Sequence, residues 1–169
     1  MNKYRVESTR LKGYDYSHNG AYFITICSFK HNCLFGEIFV ETAEMILSDI
    51  GKIVSKCWFD LEEHYPQIAL DEFIIMPNHV HGIILIEENG SLEIRNHGLS
   101  EFVRAFKSFS SRGIGELKLK DLSRIWQSGF YDHIIHSAKE LEGIRNYIRD
   151  NPVNWINDHY YGSSKKNVV

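Results

Sequence analysis

Two apolar runs separated by a proline-containing turn impose the strongest constraint on how this chain can fold. Residues 68–76 and 79–87 are both rich in isoleucine and other large apolar side chains, and Pro77-Asn78 stands between them. β-Branched and aromatic residues favour strands, and a short break between two such runs is typical of a hairpin. Because its apolar stretch is almost continuous, we expect the second strand to be central and buried.

The other segments alternate between strand and helix patterns. The predicted strands are residues 21–29 and 130–135, and the predicted helices are residues 41–63, 99–109 and 138–150. The last helix has the clearest ends, since Ser137 and Glu140 form a capping box and Pro152 stops the helix. We therefore predict an α+β fold, an antiparallel sheet with helices packed largely on one face, in a single domain over residues 1–169.

Several classes of protein are excluded by what the sequence lacks. No glycine-rich phosphate-binding turn follows a predicted strand, so we expect no nucleotide cofactor. No apolar run approaches the roughly 20 residues that span a bilayer, so we expect a cytoplasmic protein with no membrane partner. The net charge of -3 counts against nucleic acid, but residues 100–125 carry six basic and three acidic side chains.

His79 and His81 form the sharpest local signal. Residues two apart on a strand point to the same face, with β-carbons about 7 Å apart. Two imidazoles at that spacing can bind one divalent metal ion, although two polar positions on a half-exposed strand would show the same pattern. The apolar flanks of the pair favour metal binding, because unpartnered imidazoles in a buried strand are costly.

Tyr147 and Asn151 lie four residues apart on the last predicted helix, so their side chains lie one above the other. They flank the apolar stripe of that helix, from which a side chain can reach a site at the boundary of helix and sheet. The alternative is that Tyr147 is a boundary aromatic and Asn151 a helix C-cap.

Three ordered segments resemble the HUH single-tyrosine transposases of short insertion sequences, and most closely the REP-associated tyrosine transposases. They are residues 76–83 (Met-Pro-Asn-His-Val-His-Gly-Ile), 126–133 (Trp-Gln-Ser-Gly-Phe-Tyr-Asp-His) and 147–152 (Tyr-Ile-Arg-Asp-Asn-Pro). Weaker matches occur at residues 8–11, 13–16 and 105–108, so the resemblance covers nearly the whole chain.

This resemblance implies a function and a set of site residues. The implied activity is metal-dependent cleavage and strand transfer of single-stranded hairpin DNA through a covalent 5′-phosphotyrosine, on a ferredoxin-like sandwich. His79 and His81 match the histidines that hold Mg²⁺ or Mn²⁺, and Tyr147 matches the nucleophile. Asn151 stands where many relatives place a glutamine as third metal ligand, and the shorter asparagine is usual in the REP-associated branch.

Other residues are assigned from charge and position. The predicted DNA contacts are Arg10, Arg104, Lys107, Arg112 and Lys118, with Tyr14, Tyr16 or Tyr131 available for base stacking. Tyr131 is also a competing nucleophile, because Asp132 and His133 beside it could act as a base. Alternatively, Asp132 and His133 are expected to contact the metal ligands without binding the ion themselves. His133 could equally be a core histidine.

Two other functions and two assembly states remain open from the sequence. One alternative is a metal-dependent hydrolase that uses water and forms no covalent intermediate. The other is a hairpin-binding protein that has lost catalysis. Relatives of the insertion-sequence type are dimers and the REP-associated branch is monomeric, so the resemblance implies either a monomer or a homodimer.

Overall fold

The computed structural model describes residues 19–39, 41–87, 98–119 and 122–161. Within these residues the chain forms a four-stranded antiparallel sheet, a two-stranded ribbon and three α-helices. The strands are β1 (Gly20–Cys27), β2 (Gly36–Phe39), β3 (Glu44–Leu47), β4 (Ile68–Met76), β5 (His79–Ile86) and β6 (Tyr131–Ile135). The helices are α1 (Asp49–His64), α2 (Leu99–Gly115) and α3 (Ala138–Arg149). None of the described helices is long and apolar enough to cross a bilayer.

The predicted hairpin supplies an edge strand, β4, and an inner strand, β5, of the four-stranded sheet. β4 and β5 pair across the Pro77-Asn78 turn, with Met76 opposite His79. The strand order is β4-β5-β1-β6, so β5 has a hydrogen-bonded neighbour on each side. Apart from Leu85, every residue of β5 is buried. The expectation of a central, buried strand is confirmed.

Helices α1 and α2 cover one face of this sheet, and α3 covers the other. On the first face, the Trp58 ring of α1 stacks on Phe73 of β4 with centroids 4.4 Å apart and meets Phe106 of α2 edge-on. On the second face, Ile148 of α3 packs in a smaller core with Phe23 of β1. The predicted fold class is confirmed, and α3 is the helix that lies opposite the other two.

Strand alternation divides the side chains of β5 between these two faces. Val80 and Ile84 belong to the core beneath α1 and α2. His79 and His81 point to the other side, where the His81 ring stacks on Phe23 with centroids 5.3 Å apart. The histidine pair therefore lies on the face that α3 covers.

The first helix begins later than the sequence pattern predicts. A helix over residues 41–63 is wrong for its first eight residues, because β3 pairs there with β2 and α1 starts after Ser48. The Ser48 hydroxyl accepts a hydrogen bond from the Gly51 N–H at 3.1 Å, which caps the helix. Met45 and Leu47 pack on the core from an alternating strand. The helical pattern relied instead on Met45 and Ile46, and Ile46 is exposed.

The ends of the other two helices differ less from expectation. α2 continues to Gly115, beyond the predicted end at Phe109, because Ile114 extends its apolar face into the core. The capping box of α3 is confirmed: the Ser137 hydroxyl accepts from the Glu140 N–H at 3.2 Å, and the Glu140 carboxylate accepts from the His136 N–H at 2.7 Å.

A bulge in β4 ties α3 to the edge of the sheet. The register shifts between Leu70 and Phe73, which lets the consecutive residues Asp71 and Glu72 both reach α3. Arg145 donates two hydrogen bonds to Asp71, at 2.8 and 2.6 Å, and Arg149 pairs with Glu72. The hydrogen bond from Arg145 holds the pKa of Asp71 below its ordinary value, so this carboxylate stays ionised. These two arginines flank Tyr147 along the helix.

We expect Gly82→Ala to destabilise the fold, because a β-carbon at Gly82 would lie 2.5 Å from the fully buried Trp58 ring. Such overpacking costs about 1–3 kcal/mol. The matched control is Gly143→Ala in α3, where an added β-carbon meets nothing within 4 Å. That change should stabilise by about 0.5–1 kcal/mol through helix propensity. Urea unfolding followed by circular dichroism measures both, and a Gly82→Ala chain as stable as the parent would contradict the packing.

Candidate active site

His79 and His81 converge on one point beneath α3. Their side chains are buried, with exposed fractions of 0% and 1%, and their Nε2 atoms lie 3.1 Å apart. The two rings meet at a steep angle, with centroids 4.5 Å apart. The sequence prediction that the imidazoles share one face is confirmed.

The hydrogen bonds of Asn78 fix the tautomer of His79. The Asn78 amide NH₂ donates to the backbone carbonyls of His31 and Tyr160, at 3.2 and 3.1 Å. Its oxygen therefore faces Nδ1 of His79, at 2.8 Å. Since an amide oxygen can only accept, Nδ1 carries the proton and the lone pair of His79 lies on Nε2, toward His81.

His81 has a partner that accommodates either tautomer. Its Nδ1 lies 2.8 Å from the hydroxyl of Thr25, which can donate or accept a hydrogen bond. Burial lowers the pKa of His81 to about 3, against the opposing effect of a hydrogen bond with the Ile24 backbone. Burial, and next the charge of His81, lowers the pKa of His79 well below its ordinary value. Both rings are therefore neutral at physiological pH, the form that binds metal ions.

Two oxygen ligands lie beside the histidine pair. A carboxylate oxygen of Asp158 lies within 4.8 Å of the converging histidine nitrogens. The Asn151 side chain is 3% exposed, and its Oδ1 accepts no hydrogen bond within the described part of the chain. A buried amide oxygen without a donor is costly, and a cation would relieve that cost. Two imidazole nitrogens, a carboxylate and an amide oxygen are a donor set that fits a divalent metal ion.

Tyr147 reaches the same place from α3. Its ring lies 5.4 Å from the His81 ring and 6.0 Å from the Phe23 ring, measured between centroids. The Tyr147 hydroxyl hydrogen-bonds Asn151, and because Asn151 Oδ1 has no partner, the bond comes from the amide NH₂. Burial raises the pKa of Tyr147, this hydrogen bond lowers it, and the charge of Asp158 raises it.

The phenol is accessible from outside. The Tyr147 side chain is 50% exposed and lines a cleft of about 360 Å³, together with Asn151, Asp158 and Tyr160. The Tyr160 ring packs against His79 on one side and His31 on the other, with centroids 4.7 and 5.3 Å apart. The structure therefore places Tyr147 and Asn151 in the lining of an open cleft. The buried His79 and His81 rings lie behind that lining, against Tyr160 and Tyr147.

The residues near Tyr131 divide between the two faces of the sheet. Tyr131 lies on the histidine face, 6.3 Å from Phe23 between ring centroids, so it is close to the site but in a separate position on β6. Asp132 pairs with Ile24 and points to the opposite face, beneath α1 and α2. The His133 imidazole bonds the Glu140 carboxylate at 2.7 Å. The structure does not bring Asp132 or His133 next to the histidine pair.

Four of the predicted DNA contacts fall within the described residues, and none of them lines this cleft. Arg104 is exposed on α2 and pairs with Glu101 at 3.3 Å, and the Arg112 guanidinium lies over the Phe109 ring. Lys107 donates to backbone carbonyls, and burial lowers its pKa to about 8. Lys118 is exposed beyond the end of α2. Arg10, Tyr14 and Tyr16 lie outside the described residues.

Sequence reasoning missed Asp158, Tyr160 and Thr25. Thr25 gave a usable signal, because it is the one residue with an aliphatic hydroxyl in the largely apolar stretch of residues 21–27. Asp158 and Tyr160 follow the last helix in a segment of short turns, without the periodicity that marks a buried face. Their approach to His79 depends on how the chain returns across the end of the sheet.

Known proteins match this chain over most of its length. The family described as transposase IS200-like matches residues 23–151. An uncharacterized protein of Haemophilus influenzae is 38% identical, over 91% of this chain and 92% of the relative. A second H. influenzae protein, provisionally named a REP-associated tyrosine transposase, is 28% identical over 82% of this chain and 73% of its own length.

A solved structure agrees with the fold. The structure of a REP-associated tyrosine transposase bound to a REP hairpin superimposes with a TM-score of 0.62 and 20% identity, covering 86% of this chain and 74% of that one. The resemblance of the sequence motifs to the REP-associated tyrosine transposases is confirmed, and the chain belongs to the family of IS200-like transposases.

Proposed function

We propose that this chain cuts and rejoins single-stranded DNA with the Tyr147 hydroxyl as nucleophile. The observation that carries the proposal is the position of the exposed Tyr147 phenol, whose ring lies 5.4 Å from the His81 ring, beside the pair of histidine nitrogens that converge at 3.1 Å. A transposase of this family must break a phosphodiester bond without a nucleotide cofactor. A covalent phosphotyrosine keeps the energy of that bond for rejoining.

Tyr147 attacks the scissile phosphorus in line with the departing 3′ oxygen. A bond forms between the phenol oxygen and phosphorus, the bond between phosphorus and the 3′ oxygen breaks, and the 3′ oxygen leaves as a hydroxyl. The phenol proton passes to solvent through the open side of the cleft, and the departing 3′ oxygen takes up a proton from solvent. The Asn151 amide donates to the phenol oxygen, which favours its ionised form against the effect of burial. Attack by a second 3′ hydroxyl on the phosphotyrosine reverses these changes and joins the new strand.

The metal ligands in this proposal are His79, His81, Asp158 and Asn151, with Mg²⁺ or Mn²⁺ as the ion. When bound, such an ion polarises a phosphate oxygen and stabilises the charge that develops on it. The chain contributes two neutral imidazoles held by Asn78 and Thr25, so the ligand nitrogens are already aimed at one point. Oxygen ligands and an open cleft suit an ion that keeps water and phosphate in its coordination sphere.

We propose hairpin DNA as the substrate, in line with the REP hairpin held by the solved relative. Arg104, Arg112 and Lys118 present exposed cations on and after α2 that can contact a phosphate backbone. The proposed metal ligands and nucleophile all come from one chain, which makes a monomer sufficient for cleavage. A homodimer stays open, because a second copy could add DNA contacts without supplying catalytic residues.

We expect Tyr147→Phe to abolish a denaturant-stable adduct between the chain and a labelled hairpin oligonucleotide in Mn²⁺. The loss should be at least about a thousandfold, because the change removes the nucleophile and leaves the ring in place. Tyr131→Phe is the matched control and should keep adduct formation within about threefold of the parent. Denaturing electrophoresis of the labelled product measures both.

Other results of that assay would support a different nucleophile or a different function. An adduct lost in Tyr131→Phe but kept in Tyr147→Phe would assign the nucleophile to Tyr131. Cleavage to a free 5′ phosphate with no adduct would favour a hydrolase that uses water. Hairpin binding without cleavage in any variant would favour a non-catalytic DNA-binding protein.

We expect Mn²⁺ to bind the chain without DNA, and His79→Ala to remove that binding. Asn78→Ala should weaken it by about 10–100-fold, because Asn78 holds the tautomer of His79 without ligating the ion. His133→Ala is the control and should leave the affinity unchanged, since His133 bonds Glu140 instead. Titration calorimetry and the Mn²⁺ electron-paramagnetic-resonance signal measure binding. Equal Mn²⁺ affinity in the parent and in His79→Ala would refute the assignment of the ligands.

A further inference from the structure

A second cleft lies away from the catalytic tyrosine, between the C-terminal half of α2 and the segment of residues 122–127. Its volume is about 500 Å³, larger than the 360 Å³ cleft at Tyr147. We call it the α2 cleft. Three cationic residues line it, Lys107, Lys118 and Arg124, and none of the described residues in its lining is acidic. Such a lining favours an anionic ligand.

Two of these cations are held in place. The Lys107 ammonium donates to the backbone carbonyls of Gln127, at 2.9 Å, and Gly129. Arg124 donates from Nε to the Trp126 carbonyl at 3.0 Å, and its guanidinium lies 4.8 Å from the centre of the Phe29 ring. Neutral partners fix both side chains and leave their positive charge uncompensated. An ordinary surface lysine or arginine keeps its charged group in water and has no such fixed position.

The charges of the α2 cleft are unfavourable without a ligand. No carboxylate of the described residues pairs with Lys107, Lys118 or Arg124. Burial lowers the pKa of Lys107 to about 8, and the charge of Arg124 contributes to the lowering. The positive charges of Lys107 and Arg124 repel each other, and a bound anion would relieve this repulsion.

The rest of the lining adds an apolar wall. Ile114, Leu119, Leu122 and Trp126 line the same cleft, with hydroxyls from Ser108 and Ser111. A simple inorganic anion would gain nothing from such a wall. A nucleotide would use both parts, because its base can lie against apolar side chains while its phosphate meets the cations.

We propose that the α2 cleft binds one unpaired nucleotide of the DNA strand, with the base on the apolar wall and the phosphate on Lys107, Lys118 and Arg124. This inference rests on the proposed function, because it assumes that the strand being cut is single-stranded DNA. It adds a recognition site for the unpaired flank of the hairpin, separate from the cleft in which Tyr147 acts.

A chain of contacts connects the two clefts. Gln127 lines the α2 cleft, and its Nε2 lies 3.1 Å from Nε2 of His31. The His31 ring stacks on Tyr160, which packs against the metal ligand His79. A strand cut at Tyr147 can therefore follow this end of the sheet and place a nearby flanking nucleotide in the α2 cleft.

The test measures DNA binding without cleavage, in the full chain carrying Tyr147→Phe. Fluorescence anisotropy compares a hairpin oligonucleotide with an unpaired flank against versions in which each flank base in turn is abasic. We expect one abasic position to weaken binding by about tenfold, the effect of losing one stacked base. In a Leu119→Ser chain, which lacks part of the wall, the same abasic position should cost less than about twofold.

The proposed phosphate contacts of Arg124 and Lys118 are tested by the salt dependence of DNA binding. Arg124→Ser and Lys118→Ser should each reduce the slope of log affinity against log salt by about 0.7, the value for one lost phosphate contact on a single strand. Lys56→Ser is the matched control, because Lys56 is an exposed cation of α1 that pairs with Asp60 at 2.6 Å. It makes the same change in net charge and should leave the slope within about 0.2.

Each outcome bears on the proposal. The α2 cleft is not a nucleotide site if no abasic position in the flank weakens binding. The same holds if Arg124→Ser and Lys118→Ser give the salt slope of Lys56→Ser. Either result would leave the phosphotyrosine mechanism intact. The adduct assay can fail independently. If one abasic position weakens binding and this effect depends on Leu119, but the parent chain forms no adduct with DNA, the nucleotide site stands and the catalytic assignment of Tyr147 falls. A chain that binds no single-stranded DNA would overturn both.

Discussion

Burial of β5 on both faces is the constraint on which the site depends. On one side Gly82 leaves room for the Trp58 ring, and on the other His79 and His81 point into the space beneath α3. Because side chains alternate along a strand, the close packing of Trp58 and the convergence of the imidazoles are two results of one register. A slip of one residue would turn the histidines into the apolar core beneath α1 and α2, away from the Thr25 hydroxyl that now bonds His81.

Burying two imidazoles requires a shell of partners, and that shell joins distant parts of the chain. The Asn78 amide bonds carbonyls of His31 and Tyr160 as well as His79, so one side chain connects three segments at the end of the sheet. Thr25 on the adjacent strand supplies the partner of His81. Within the described residues, Asn151 Oδ1 has no hydrogen-bond partner, and the two histidine Nε2 atoms face each other at 3.1 Å. These are the atoms that a cation would engage.

The position of Tyr147 depends on how α3 is anchored. Apolar contacts through Ile148 hold the helix on the sheet, and the two arginine pairs at the β4 bulge fix it along the strand direction. A phenol that must attack in line gains from such anchoring, because small displacements of a nucleophile are costly in rate. The α2 cleft lies elsewhere on the molecule and is built from different elements, so strand binding and bond breaking can be separated by mutation.

The sequence by itself determined the hairpin of β4 and β5 and the capped helix α3. Its motifs, through their resemblance to a known family, also predicted the grouping of His79, His81, Tyr147 and Asn151. These features rest on local patterns: strand alternation, helical spacing, a capping box and short motifs. The sequence could not place the start of α1, since Met45 and Ile46 continue the apolar spacing of the helix and only the pairing of β3 with β2 decides. It also could not find Asp158, separate Asp132 from the histidines, or show that Lys107 and Arg124 share one cleft. Those facts depend on contacts between residues far apart in the chain, which tertiary packing alone specifies.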